Sequence, residues 1–293
     1  MKNTVNKRIQ EHLNHELERL ELELGSDVLV YTGPIVDGVE NDFLRIVEDL
    51  SNETRGLDYK QKKINLILTT SGGSARAVER YVNILRNFYS EVNFIVPDYA
   101  FSAGTIFCMS GDNIYMDFSS VLGPIDPQVQ NKEGRFVPAL GYLDKINELL
   151  DKARNNNLTD AEFVILKEFD LAELRGYEQA RDLSIDLLKK WLVKYKFKNW
   201  TMHSTTNRGT PVTMADKERR AEEIATALSN NNVWKSHGRP INIDILENQL
   251  KLKIHDYSRD ADLRDKIMSY YMLSIDYIKK NSISIFIHTK KYI

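Results

Sequence analysis

Two short stretches carry residue types that could perform acyl transfer, Thr69-Thr70-Ser71-Gly72-Gly73 and Ser102-Ala103-Gly104-Thr105. Adjacent glycines tolerate positive φ and leave their backbone N–H groups uncovered, so Gly72 and Gly73 can aim amides at an anionic oxygen. Ser102 stands among small residues where a loop enters the apolar run Ile106 to Met109. A hydroxyl at a helix start suits a nucleophile, because the helix dipole and free N–H groups favour developing negative charge. Such a site needs a hydroxyl at a tight turn and two N–H donors converging on the carbonyl oxygen, each donor being worth roughly 3 kcal/mol.

The surrounding elements place both stretches at the same kind of position. Ile64 to Leu68 reads as a buried strand ending at the glycines, and Val92 to Val96 as a second strand leading through Pro97 to Phe101 into Ser102. Between them a helix from Ser74 to Tyr89 carries Val78, Val82 and Leu85 on one face, the pattern of a crossover helix on a sheet. Asp27 to Tyr31 forms an earlier strand followed by a helix over Asn41 to Leu50, and Asn113 to Met116 a later strand. The alternation predicts repeated βα units around a parallel sheet, an α/β fold in which sites gather at the carboxyl ends of the strands.

The segments TTSGG, FSAGT and SSVLGPIDPQ, in this order and spacing, resemble the serine dehydrogenase proteinase family within the Clp protease, SppA and crotonase-like superfamily. The resemblance covers residues 27 to 150. It implies a Clp/crotonase-like fold and a serine peptidase with Ser102 as nucleophile. The amides of Gly72 or Gly73 and of Ala103 would form the oxyanion hole, and protein or peptide would be the substrate. A homo-oligomer is the superfamily's habit. Two other classes stay open: a catalytically silent scaffold of the same fold, and a crotonase-like acyl-CoA enzyme, which needs the two amides and not the serine.

The proton acceptor divides the candidates. Clp proteases place a histidine shortly after the serine, but here no histidine lies between His15 and His203. The SppA-like branch uses a lysine on the helix after the last core strand, where this chain has Lys145 and Lys152. A lysine acts as base only when burial holds it neutral. Lys145, near Leu143, Ile146 and Leu149, is preferred over Lys152 as the partner in a Ser-Lys dyad; the competing reading is an exposed lysine paired with a nearby acid. His237, in Ser236-His237-Gly238-Arg239-Pro240, resembles a late histidine turn of the family and is the remote alternative for the base, the competing reading being a cap on the helix after Pro240; His203 has a weaker claim.

Composition bounds the rest. The 293 residues, 42% of them hydrophobic, suffice for a large α/β core with additions. We read residues 1–26 as an N-terminal helix, 27–155 as the catalytic core and 156–293 as a mostly helical C-terminal region. A net charge of −2 gives no general case for nucleic acid. The basic and aromatic run Lys194 to Trp200 reads as a helix end with snorkelling lysines. One cysteine, Cys108, excludes an intrachain disulfide and fits a cytoplasmic setting. The first residues are too polar for a secretory h-region, no stretch predicts a membrane span, and no His/Cys cluster predicts a metal or other cofactor. In the opening helix Ile9, Leu13, Leu17, Leu20 and Leu24 make an apolar stripe to be buried either in cis or against another subunit.

Overall fold

A computed structural model of the chain describes residues 2–52, 62–130, 136–203, 208–236 and 238–292. Helix α1 (Lys2–Leu24) precedes strand β1 (Asp27–Thr32), helix α2 (Glu40–Asn52) and strand β2 (Lys63–Thr69). Helix α3 (Ala75–Phe88) crosses to β3 (Glu91–Val96), and a short β4 (Tyr99–Ala100) leads to α4 (Ala103–Met109) and β5 (Asn113–Met116). A two-residue β6 (Val121–Leu122) and a hairpin of β7 (Gln128–Gln130) and β8 (Phe136–Pro138) open onto helices α5 (Ala139–Arg154), α6 (Asp160–Lys167) and α7 (Leu171–Trp191). The chain closes with α8 (Met214–Leu228), α9 (Asn231–Trp234), β9 (His255–Asp256), α10 (Ala261–Asn281) and β10 (Phe286–His288).

Six strands form one sheet in the order β10-β1-β2-β3-β5-β9. All neighbours run parallel except β10, which lies antiparallel to β1. Side chains alternate across it, as the pleat requires. Leu66, Leu68, Phe94 and Val96 face α2, α3, α4, α7 and α8, whereas Val28, Val30, Ile67 and Ile95 face α1 and α10. Both faces are therefore covered by helices, which explains the nearly continuous apolar runs read from the sequence.

The stripe on α1 is buried in cis. Leu13, Leu17 and Leu20 are fully covered, sharing a cluster with Ile267, Tyr270 and Tyr277 of α10. Burial of such side chains stabilises by about 1.5–3 kcal/mol each. The region beyond residue 156 contributes more than helices, since β9 and β10 extend both edges of the sheet. Helices α7 and α8 bring Leu187, Leu188, Ile224 and Leu228 into the same core as β2 and β3. The Lys194 to Trp200 run lies at the end of α7, where the chain winds into a π-turn (Leu192–Lys196). There the Arg86 guanidinium stacks 3.7 Å from the Tyr195 ring centroid. Burial pulls the Lys196 amine down to about 8, and Lys196 donates to the Lys253 carbonyl.

A second, smaller layer lies above the carboxyl ends of the main strands. It joins β4 to β6 in parallel and is extended by single bridges from Thr70 to Ala100 and from Leu122 to Ile241. This layer carries the chain from β2 and β3 to the functional loops.

Candidate active site

After β2 ends, Thr70 pairs with Ala100 and the chain turns through Gly72 and Gly73 at φ +100° and +143°. Neither position accepts a side chain. A Cβ on Gly72 would lie 2.6 Å from the Phe101 carbonyl oxygen and 2.9 Å from Ser102 Cβ; one on Gly73 would lie 1.9 Å from the Ile35 carbonyl oxygen. The first contact shows that the glycine turn backs directly onto the serine turn, although Gly72 and Ser102 lie 30 positions apart in the chain. The second reflects a parallel bridge in which Ile35 N–H donates to Gly72 O at 2.9 Å and Ser74 N–H to Ile35 O at 2.8 Å. In such a bridge the amide of Gly73 itself points away from Ile35.

Ser102 sits at the start of α4 with φ 53° and ψ −115° and is 2% exposed. A non-glycine residue held there stores about 1–3 kcal/mol, which surrounding contacts must impose. Thr105 imposes part of it. Its hydroxyl lies 2.9 Å from both the Ala100 and Gly123 carbonyl oxygens and accepts from Gly123 N–H at 3.1 Å, tying β4 to the segment after β6. Gly104 N–H donates to Phe101 O at 2.8 Å, closing the turn.

The amides divide in a way the sequence did not foresee. Gly72 N–H donates to Thr70 Oγ1 at 3.0 Å. Those of Gly73 and Ala103 have no acceptor among the described residues. Gly73 rather than Gly72 is thus the glycine with an amide to offer.

The hydroxyl of Ser102 donates to the main-chain carbonyl of Asp126 at 3.1 Å. Lys145 does not occupy the apolar setting that its neighbours suggested. Leu143, Ile146 and Leu149 are buried, but Lys145 projects from another side of α5, its side chain 53% exposed and 2.9 Å from Glu148 Oε2. Helical geometry separates them: residues three apart share a face, and position 145 falls between. Lys152 bonds Glu162 at 2.6 Å and Glu148 at 3.2 Å, and these carboxylates push its amine above the usual lysine range, opposite to what a base requires. His203 faces Asp216 at 3.6 Å and packs edge-on to Trp200. His237 lies outside the described residues. Among the described residues, no histidine or lysine side chain is bonded to Ser102.

A cleft of about 860 Å³ opens beside the two turns, lined by Ile35, Gly72, Gly73, Phe101 and Pro127 and closed opposite by Gly176, Gln179, Ala180 and Leu183 of α7. The α7 wall carries no chemical motif, so nothing in the sequence marked it. Cys108 is buried in α4, which pushes its thiol up and leaves it inert. No group of His, Cys, Asp or Glu among the described residues is placed to hold a metal ion, and no described helix is long and apolar enough to cross a membrane.

Comparison with known proteins supplies a family. Residues 47–235, which contain both turns, Asp126 and the α7 wall, match the family of ClpP-like SDH-type serine proteinases. An uncharacterized protein of Methanocaldococcus jannaschii is 30% identical over 171 residues, 57% of this chain and 55% of that protein. A second uncharacterized protein of the same organism is 39% identical over 129 residues, 41% of this chain and 42% of its own length. The chain thus spans about half the length of these curated relatives.

Proposed function

The chain belongs to the ClpP-like SDH-type serine proteinase family, and on that premise we propose that it hydrolyses peptide bonds through an acyl-enzyme on Ser102. One observation carries the reading: a buried serine held at φ 53° against the glycine turn, where the amides of Gly73 and Ala103 have no acceptor among the described residues, next to a cleft that Gly72, Gly73 and Phe101 line.

In the reaction Ser102 Oγ attacks the substrate carbonyl carbon as its proton passes to a base. The carbonyl oxygen becomes an anion stabilised by the N–H groups of Gly73 and Ala103. Collapse breaks the C–N bond, the amine leaves with a proton, and water then releases the acid and restores the serine hydroxyl. The hydroxyl must first turn from the Asp126 carbonyl to its proton acceptor. Lys145, Lys152 and His203 each already face a carboxylate.

Labelling with a fluorophosphonate probe, followed by mass spectrometry of the tagged peptide, tests the reading in wild type, Ser102→Ala, Lys145→Ala and His237→Ala. Tagging of Ser102 that vanishes in Ser102→Ala supports it; loss in His237→Ala alone would identify the base. A second reading, a catalytically silent scaffold, is favoured by the engagement of the Ser102 hydroxyl with a main-chain carbonyl. Folded wild type that never labels and cleaves no peptide would decide for the scaffold.

A further inference from the structure

The segment Gly123 to Gln128 follows the strands that build the site, and the carboxylate of its one acidic residue, Asp126, takes no part in the proposed hydrolysis. Asp126 is 3% exposed and works at both ends. Its main-chain oxygen accepts the Ser102 hydroxyl at 3.1 Å, and its carboxylate Oδ1 accepts the Leu140 N–H at 3.0 Å in the first turn of α5. Next to it the Pro127 carbonyl accepts the Ala139 N–H at 3.0 Å, and Pro127 lines the cleft. Two adjacent bonds thus clamp the start of α5 to the residue that orients the nucleophile. A carboxylate at a helix start is also favoured by the exposed N–H groups and the dipole there.

We infer that Asp126 is a positioning residue that couples α5 to the nucleophile: its side chain fixes the first turn of the helix, and its carbonyl sets the direction of the Ser102 hydroxyl. This rests on the hydrolase reading only for its effect on reactivity. The mechanical link stands on geometry alone. A displacement of α5, which follows the β7–β8 hairpin directly, moves the Asp126 carbonyl and so redirects the hydroxyl.

The test measures the fluorophosphonate labelling rate at Ser102 and amide hydrogen exchange in wild type, Asp126→Ala and Asp126→Asn. Removing the side chain leaves the buried Leu140 amide without an acceptor. Labelling in Asp126→Ala is expected to slow about tenfold or more, because a loosened Ser102 turn no longer holds the hydroxyl in register with the amides of Gly73 and Ala103 once it leaves the Asp126 carbonyl. Exchange should quicken both at the start of α5 and around Ser102 to Gly104. Asp126→Asn keeps an acceptor oxygen and should restore both readouts to within about twofold of wild type. If Asp126→Ala loosens α5 alone, with the Ser102 turn and its labelling unchanged, the residue is only a helix cap and the inference falls. It falls too if the asparagine variant behaves like the alanine one. Should Asp126→Ala not fold, Asp126→Ser, whose side chain is too short to reach Leu140 in the same way, takes its place with the same expectations. Wild type that does not label overturns the hydrolase reading, and the exchange comparison then decides the coupling by itself.

Discussion

Gly73→Ala separates the oxyanion role from mere loop packing. A Cβ there would lie 1.9 Å from the Ile35 carbonyl oxygen and 2.9 Å from its carbon, against about 3.4 Å for an ordinary contact, so the two strands must part by about 1.5 Å. The atoms in the way are backbone and cannot swing aside. Parting them breaks the bonds from Ile35 N–H to Gly72 O and from Ser74 N–H to Ile35 O, at about 0.5–1.5 kcal/mol each. A φ of +143° adds about 1–3 kcal/mol for a residue with a side chain. Together the variant should lose about 2–6 kcal/mol of stability. The Gly73 amide moves with the strand, and loss of one oxyanion donor lowers the rate about 10²–10³-fold. Labelling and peptide cleavage should be compared with wild type at a temperature where circular dichroism shows both proteins folded. A folded Gly73→Ala protein that labels at the wild-type rate would refute the assignment of this amide to the oxyanion hole.

Lys145→Ala should leave labelling within about twofold of wild type and shift stability by under about 0.5 kcal/mol, because it removes only an exposed ion pair; abolished labelling would restore the lysine as base. Gly141→Ala, in α5 with nothing within 4 Å of an added Cβ, should stabilise the protein by about 0.5–1 kcal/mol in urea unfolding, and a destabilised variant would contradict the open space seen there. His288 is buried between the Tyr270 hydroxyl at 2.5 Å and Asn14 Oδ1 at 2.7 Å, and burial depresses it from 6.5 to about 3. The unfolded chain takes up this proton below about pH 6.5 while the folded one refuses it. Stability present above that pH is therefore lost by about 1.4 kcal/mol per unit as the pH falls towards 3. Urea titrations between pH 7 and 4 should show a shallower acid loss for His288→Asn than for wild type, and parallel curves would refute the buried neutral imidazole.

The parallel sheet was legible because its strands, covered on both faces, appear as unbroken apolar runs between amphipathic helices. The place of Ser102 at the start of α4 was legible because a loop of small residues runs into an apolar helix, and the glycine turn because two glycines together imply a backbone turn that side chains forbid. The capping box of Thr159 and Glu162 is local in the same sense, since its bonds span only one turn. The edge strand Phe286–His288 carries no local sign of its partner, because β1, which it pairs with, lies at the other end of the chain.

Local chemistry, then, fixed the elements and the residues at their ends: φ restrictions, periodicity and side-chain type act over a few positions and are written in the sequence. Only the tertiary structure decided what those residues meet. It gave the Gly72 amide to Thr70, left those of Gly73 and Ala103 without an acceptor among the described residues, turned Lys145 outward to Glu148, and set the Asp126 carbonyl on the Ser102 hydroxyl. Each of these depends on the direction of a single bond vector across elements far apart in the chain. A rotation that changes no residue's type or burial can reverse it, which is why neither composition nor spacing encodes it visibly.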